Sequence, residues 1–257
     1  IAINSVSKAV SSKTIMPILE CFLIEAKEGT VKFTATDMEL GIEYVINANV
    51  EEEGKVIVDS KMFSEIIRKL PNSEVVIETL ENEIMQITCE KSVFNLVYMN
   101  GEDYPELPKI NENLSVEVPQ NILKSMIKGT SFAIAQDETR PILQGILFEV
   151  KNKNLNLVAL DGYRLAIRSE FLDNDSDVEV VIPGKTLNEV SRILEDTSEI
   201  VKITFTNNHI LFNLNDTKVV SRLLDGKFVN YISLLPQEHK IYIDVNKQQL
   251  QNCIERA

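Results

Sequence analysis

Short runs of alternating apolar and polar residues fill the first part of the chain: Ile18 to Ala26, Thr30 to Ala35, Leu40 to Val50, Lys55 to Asp59, Glu74 to Thr79, Ile84 to Cys89 and Ser92 to Tyr98. A period of two sends successive side chains to opposite faces, so each run predicts a strand with one face on a core. Turn-forming pairs, Glu28-Gly29, Pro71-Asn72 and Glu81-Asn82, separate the runs and predict antiparallel pairing. One stretch breaks the alternation. After Ser60, the expected N-cap, Met62, Phe63, Ile66, Ile67 and Leu70 recur at helical spacing and predict a helix with one apolar face.

Sliding the chain along itself by 124 positions exposes a repeat. Between Pro17–Asp37 and Pro141–Asp161, eight of 21 positions are identical: Pro17/Pro141, Ile18/Ile142, Leu19/Leu143, Leu23/Leu147, Glu25/Glu149, Lys27/Lys151, Ala35/Ala159 and Asp37/Asp161. The same offset matches Val56/Val180, Lys61/Lys185, Glu65/Glu189, Arg68/Arg192 and Leu70/Leu194. The pattern is therefore present twice. In the second copy, one helix is predicted to bury Ile122, Leu123, Met126 and Ile127, and the other Leu187, Val190, Ile193 and Leu194. Ile3, Val6 and Val10 are the corresponding apolar face at the start of copy one.

A third copy is expected to begin where Ile243, Val245, Leu250 and Ile254 follow the pattern of Val116, Val118, Leu123 and Ile127. It stops at Ala257, and copy one opens inside its first helix, so both ends are expected to be incomplete. A 124-residue period exceeds the ~20–50 residues of stacked solenoid repeats. The expected organisation is tandem α+β domains at 1–111 and 112–238, followed by the start of another at 239–257.

The 257-residue length and 44% hydrophobic content suit two ordinary domains. No apolar run reaches the ~18 residues of a membrane span, and the start shows no secretory leader, so a cytoplasmic location is expected. Cys21, Cys89 and Cys253 are far apart and are expected as buried small hydrophobes, while His209 and His239 stand away from other ligand types. Neither a metal nor a cofactor is expected. Nucleotide binding has no support either, because no GxxxxGK[ST] or GxGxxG motif occurs.

A formal net charge of -13 argues against a generic nucleic-acid coat, since phosphate binding depends on Lys and Arg displacing condensed counter-ions. The placement of the basic residues changes that picture. Lys61, Ser64 and Arg68 fall on the outward face of one predicted helix, Lys185, Asn188 and Arg192 on that of its repeat, Lys124 and Lys128 on a third, and Lys8 on a fourth. Basic positions recurring on four helices of an acidic chain point to a local phosphate-binding surface.

Several segments carry a family resemblance: PILECFLIEA from Pro17, TATDMEL from Thr34, DETRPILQGILFE from Asp137, LDGYRLAI from Leu160 and LLDGKFVNYISLLP from Leu223. In order and spacing they resemble the bacterial sliding clamp, the beta subunit of DNA polymerase III, over essentially the whole chain. The resemblance implies three similar domains per subunit. Two subunits then close head to tail into a homodimeric ring, with sheets outside and helices lining a hole for double-stranded DNA. Such a ring confers processivity in replication and repair without chemistry of its own. Contacts to phosphate carry no sequence information, which suits sliding.

By matching, the resemblance also implies DNA contacts at Lys13 and in the loop Gln136, Asp137, Glu138, Thr139 and Arg140. Lys13 and Arg140 are the expected phosphate ligands, because Asp137 and Glu138 repel phosphate. It further implies an apolar pocket that takes short peptide motifs of the replicative polymerase, the clamp loader and repair proteins. The matching wall is Leu143, Leu160, Gly162, Tyr163, Arg164, Leu165, Val229, Ser233 and Leu234. Many family members have proline in place of Val229, and some have arginine in place of Ser233. Burial of Leu or Phe side chains of the peptide is worth ~1.5–3 kcal/mol each, consistent with affinities of about micromolar.

Two other classes compete. A hydrolase could use Asp37 with Asp161, or Asp137 with Glu138, as general acid and base. Asp37 and Asp161 occupy equivalent turns in separate copies, where aspartate ordinarily closes the turn, so they are expected to lie apart. A protein-interaction scaffold without DNA encirclement needs only an acidic surface and an apolar groove, and it predicts no salt-dependent affinity for DNA.

Overall fold

A computed structural model describes residues 1–11, 14–110, 114–137, 139–238 and 240–257. Lys13, Glu138 and His239 lie outside the described residues.

Repeat one comprises α1 (Ala2–Val6), β1 (Cys21–Lys27), β2 (Thr30–Thr36), β3 (Leu40–Asn47), β4 (Gly54–Asp59), α2 (Ser60–Lys69), β5 (Val76–Leu80), β6 (Ile84–Cys89) and β7 (Ser92–Asn100). Repeat two comprises β8 (Leu114–Pro119), α3 (Gln120–Lys128), β9 (Gly145–Lys151), β10 (Asn154–Leu160), β11 (Leu165–Phe171), β12 (Val178–Pro183), α4 (Gly184–Ile193), β13 (Ile200–Phe205), β14 (His209–Leu214) and β15 (Thr217–Arg222). The predicted strands form, some trimmed and some extended at their ends. Pro17 opens a 3-10 turn, Pro17–Glu20, because its ring presets the backbone for a turn and it has no N–H for a ladder. The first strand therefore starts at Cys21 rather than Ile18.

Antiparallel pairing builds a sheet in the order β5-β6-β7-β4-β1-β2-β3-β15-β14-β13-β8 and a smaller one in the order β11-β10-β9-β12. The larger sheet crosses from one repeat to the other where β3 pairs β15, from Tyr44 opposite Thr217 to Leu40 opposite Ser221. Flanking backbone bonds from Val45 to Asp216 and from Arg222 to Glu39 extend the join. The two repeats thus share a continuous backbone ladder.

They also share a core. Phe22, Phe33 and Phe63 cluster in repeat one, with Phe63 edge-on to Phe22, and Phe148 packs at a tilt against Phe205 in repeat two. Leu123, Met126, Ile127, Leu187 and Val190 are fully buried on the helices of repeat two. Helix α2 departs from expectation in three places. Its N-cap is Asp59, whose carboxylate accepts the Met62 N–H at 2.7 Å, and Ser60 is the first helical residue. Met62 is 55% exposed, while Ser64, expected outside, is buried. The apolar face is thus rotated away from Met62, with Phe63 at its centre.

The chain divides into compact units at Ile1–Gly226 and Lys227–Ala257. The second unit contains a 3-10 turn, Tyr231–Leu234, and α5 (Lys247–Ile254), capped by Asn246 accepting the Gln249 N–H. Ile243, Val245, Leu250 and Ile254 are exposed there. Cys253 is exposed too, correcting the expectation of burial, because α5 buries none of its residues; Cys21 and Cys89 are buried as expected.

Candidate nucleic-acid interface and partner pocket

Helices α1, α3 and α4 meet at the seam between the repeats and frame a shallow groove of about 490 Å³ lined by Asn4, Ser5, Lys8, Lys124, Arg192 and Asp196 among others. Three of the basic residues singled out from the sequence therefore come together. Lys8 is half-buried; desolvation pulls its pKa down, Glu189 pushes it up and Arg192 adds to the lowering. Arg68 is exposed and donates from Nε to Asn4 Oδ1 at 3.1 Å, tying α2 to α1. Lys61 and Lys128 are exposed without an ion-pair partner among the described residues.

Carboxylates already hold the other cations. Lys124, expected to be exposed, has a side chain only 16% exposed, with Nζ 3.2 Å from Asp196 Oδ2. Arg192 Nη1 donates to Glu189 Oε1 at 2.7 Å, and Lys185 pairs with Asp37 across the seam. Arg68, Lys128 and Arg192 also lie in the last turns of their helices, where the helix dipole favours positive charge. Net attraction for phosphate on this face is therefore smaller than the count of Lys and Arg suggests. Glu189 was legible as an i,i+3 partner of Arg192, but Asp196 and Asp37 come from distant positions and left no local signal.

In the loop before Pro141, Gln136 and Arg140 are exposed. Asp137 accepts the Thr139 N–H at 2.9 Å and its hydroxyl at 2.8 Å. Those bonds, with Arg140 nearby, hold its carboxyl below the usual range. The acid closes its own turn and leaves Arg140 pointing to solvent-exposed space.

The turn between β10 and β11 is built the same way. Asp161 Oδ1 accepts the N–H groups of Tyr163 and Arg164 at 3.0 Å each, and Oδ2 takes Arg164 Nε at 2.9 Å. The backbone donors and then the guanidinium lower the Asp161 pKa. Gly162 supplies the positive φ, +95°, that this turn needs. Tyr163 stands 99% exposed, and Arg164 lies over the Phe132 ring at 5.9 Å, a cation–π contact that no spacing rule revealed. Leu165 is half-buried, whereas Leu143 and Leu160 are buried and can form only the floor of a pocket. Val229, Ser233 and Leu234 are exposed in the second unit, and Ser233 Oγ donates to Asn230 O at 2.7 Å.

Asp37 repeats the geometry, its Oδ1 accepting the N–H groups of Glu39 and Leu40 at 3.0 and 2.7 Å. Both aspartates are thus turn-closing residues occupied by backbone donors and a neighbouring cation.

A family model described as the N-terminal domain of the DNA polymerase III beta subunit matches residues 1–108, and one described as its central domain matches residues 117–230. The chain belongs to the DNA polymerase III beta subunit family. The beta sliding clamp of Bacillus subtilis is 38% identical over 266 residues, covering 100% of this chain and 70% of that relative. The crystal structure of the Bacillus subtilis clamp matches with a TM-score of 0.96 at 38% identity, over 100% of this chain and 70% of that one. A putative beta subunit from Eubacterium rectale gives 0.94 at 42% identity, over 100% and 71%. The tandem α+β clamp domains expected from the sequence are present.

Proposed function

We propose that this chain acts as a sliding clamp: it encircles duplex DNA without reading sequence and tethers the replicative polymerase and other factors, with no catalysis of its own. The observation that carries this reading is the agreement of both repeats with the beta subunit family, on a fold that brings Lys8, Lys124 and Arg192 to one groove at the seam. The occupied state of Asp37 and Asp161 supports a non-enzymatic role.

The β3–β15 join supports head-to-tail closure. At the 124-residue offset β7 corresponds to β15 and β11 to β3. Among the described residues, the Ser92–Val97 part of β7 pairs only β6, and β11 pairs only β10. Each is an open edge of the kind that the repeats join between themselves, and an unpaired edge is a template for another strand. The proposal includes a head-to-tail homodimer and a third domain beginning near residue 239. It also includes a peptide pocket with Gly162, Tyr163, Arg164 and Leu165 on its wall and the buried Leu143 and Leu160 as its floor. Polymerase, clamp-loader and repair-protein motifs are its expected ligands. No helix among the described residues is long and apolar enough to cross a membrane, and the proposed location is cytoplasmic.

The test is retention of the full-length protein on nicked circular duplex against linearised duplex, after loading by a clamp loader with ATP at moderate salt. Retention on circles with escape from linear ends is the expected result. Equal retention would indicate ordinary binding, and no retention would favour a scaffold without encirclement.

A further inference from the structure

The helix faces assigned to DNA carry their own anions, and one of these is placed unusually. The Glu189 side chain is 15% exposed. Its Oε1 takes Arg192, while its Oε2 is buried with no hydrogen-bond partner. Lys8, from the other repeat, is near enough to feel the Glu189 charge, yet no ion pair joins them among the described residues. Leaving a buried carboxylate oxygen without a donor costs stability, so the position is poorly explained as a structural ion pair. Asp196 does the corresponding job at Lys124 from an exposed side chain. Lys124, Asp196 and Arg192 line the seam groove, and Glu189 holds Arg192 from within α4.

We propose that Glu189 and Asp196 are resident competitors of DNA phosphate, which loosen the grip of Arg192, Lys8 and Lys124 on the duplex. The inference rests on the sliding-clamp reading and explains how an enclosed duplex stays mobile. A lysine or arginine free in solution gains by displacing a condensed counter-ion from phosphate, and each such contact adds ~0.9 to the slope of log affinity against log salt. A cation already holding a carboxylate must give up that bond first. Its net gain shrinks, and the barrier to moving from one phosphate to the next falls with it. The ring needs topology, not affinity, to stay on DNA, so weak lateral contacts serve it.

The experiment compares the full-length protein with Glu189→Gln, Asp196→Asn and the double variant, by fluorescence anisotropy on a short linear duplex across a salt series. Glu81→Gln, which removes an exposed carboxylate in the β5–β6 turn with no cation partner among the described residues, controls for net charge. Each seam variant is expected to bind severalfold more tightly and to steepen the salt slope by about 0.9, with the double variant near twice that and Glu81→Gln unchanged. Loaded on circular DNA, the double variant should also diffuse more slowly. Seam variants that behave like Glu81→Gln while the parent binds in a salt-dependent way overturn this inference and leave the clamp reading intact. Salt-independent binding by the parent also overturns this inference, and the clamp reading is then decided by retention on circular against linear duplex. Asp196→Asn alters an exposed side chain, so it remains decisive if Glu189→Gln lowers stability.

Discussion

In repeat one, Asp37 closes the turn before β3 by accepting two backbone N–H groups, and in repeat two Asp161 does the same before β11. Their second oxygens go to different partners: Asp37 reaches Lys185 on the neighbouring repeat, and Asp161 takes Arg164 on its own turn. The next positions diverge in the same sense. Leu40 is buried where repeat two has the exposed Arg164, and Gly41 lies under Leu107 where repeat two presents Leu165. The helix sides are reversed. Thr186 and Ser221 in repeat two form a buried hydroxyl pair at 2.7 Å, while their counterparts in repeat one are the exposed Met62 and Val97. One repeat supplies β3 to the join and the other supplies β15, so each has its apolar or sealed surface on a different side. The same unit has been fitted to two neighbourhoods.

Core substitutions should break this comparison most severely. Phe63→Ala is expected to cost about 3–5 kcal/mol and its counterpart Leu187→Ala about 2–5 kcal/mol, measured by urea unfolding, because both side chains are fully buried at the same place in the unit. A cost confined to one repeat would mean that the cores are not equivalent.

The Gly41/Leu165 pair separates the roles of the two turns. A side chain at Gly41 runs into Leu107, so Gly41→Leu should destabilise by about 1–3 kcal/mol through overpacking. Leu165→Asp in the intact protein should instead abolish binding of a partner peptide in a titration while leaving dimerisation alone. Unchanged peptide affinity would place the pocket elsewhere.

Tyr104 offers a comparable effect on stability with a pH signature. Its buried hydroxyl donates to Cys21 O and accepts the Thr36 N–H, both at 3.2 Å, whereas its counterpart by offset is Phe228. Tyr104→Phe should cost about 1–3 kcal/mol by leaving those groups short of a partner. Burial raises the phenol to about 12, above its ordinary value near 10. The folded state holds that proton longer, so its contribution is complete below the ordinary value and is lost as pH rises toward about 12. Melting curves of the Phe variant should lack that alkaline loss.

The smallest effects sharpen the turn comparison itself. Asp37→Asn keeps the oxygen that accepts the backbone N–H groups but weakens the tie to Lys185, costing up to about 1 kcal/mol, as partly exposed pairs do. Asp161→Asn should be milder, with its cost present at neutral pH and fading in acid. The Asp161 carboxyl is held below its ordinary value, so its stabilisation is present above that value and lost as pH falls through the lowered one. Acid denaturation of parent and variant should converge there.

Strand positions were readable because alternation is local, and the repeat was readable because identities such as Asp37/Asp161 keep one offset through both copies. The α2 cap was misplaced by one residue, since Asp59 and Ser60 are both competent caps and only the bond to Met62 N–H distinguishes them. Ser64 and Met62 were misassigned because helical spacing gives the width of an apolar face but not its rotation against a particular sheet. At the candidate interface, Lys8, Lys124 and Arg192 were found from their residue types. Glu189, one helical turn before Arg192, was within reach of the same reading, but the partner Asp196 and the pairing of Lys185 with Asp37 depended on which segments the fold brings together.

Local chemistry along the chain thus determined the strands, the helices, the turn-closing aspartates and the existence of two copies of one unit, since each follows from backbone geometry and side-chain period within a few residues. Tertiary structure alone decided that β3 joins β15, that equivalent positions are sealed in one repeat and open in the other, and how much of the basic charge remains free. Those outcomes depend on distances between residues far apart in the sequence, and burial and ion pairing are functions of distance.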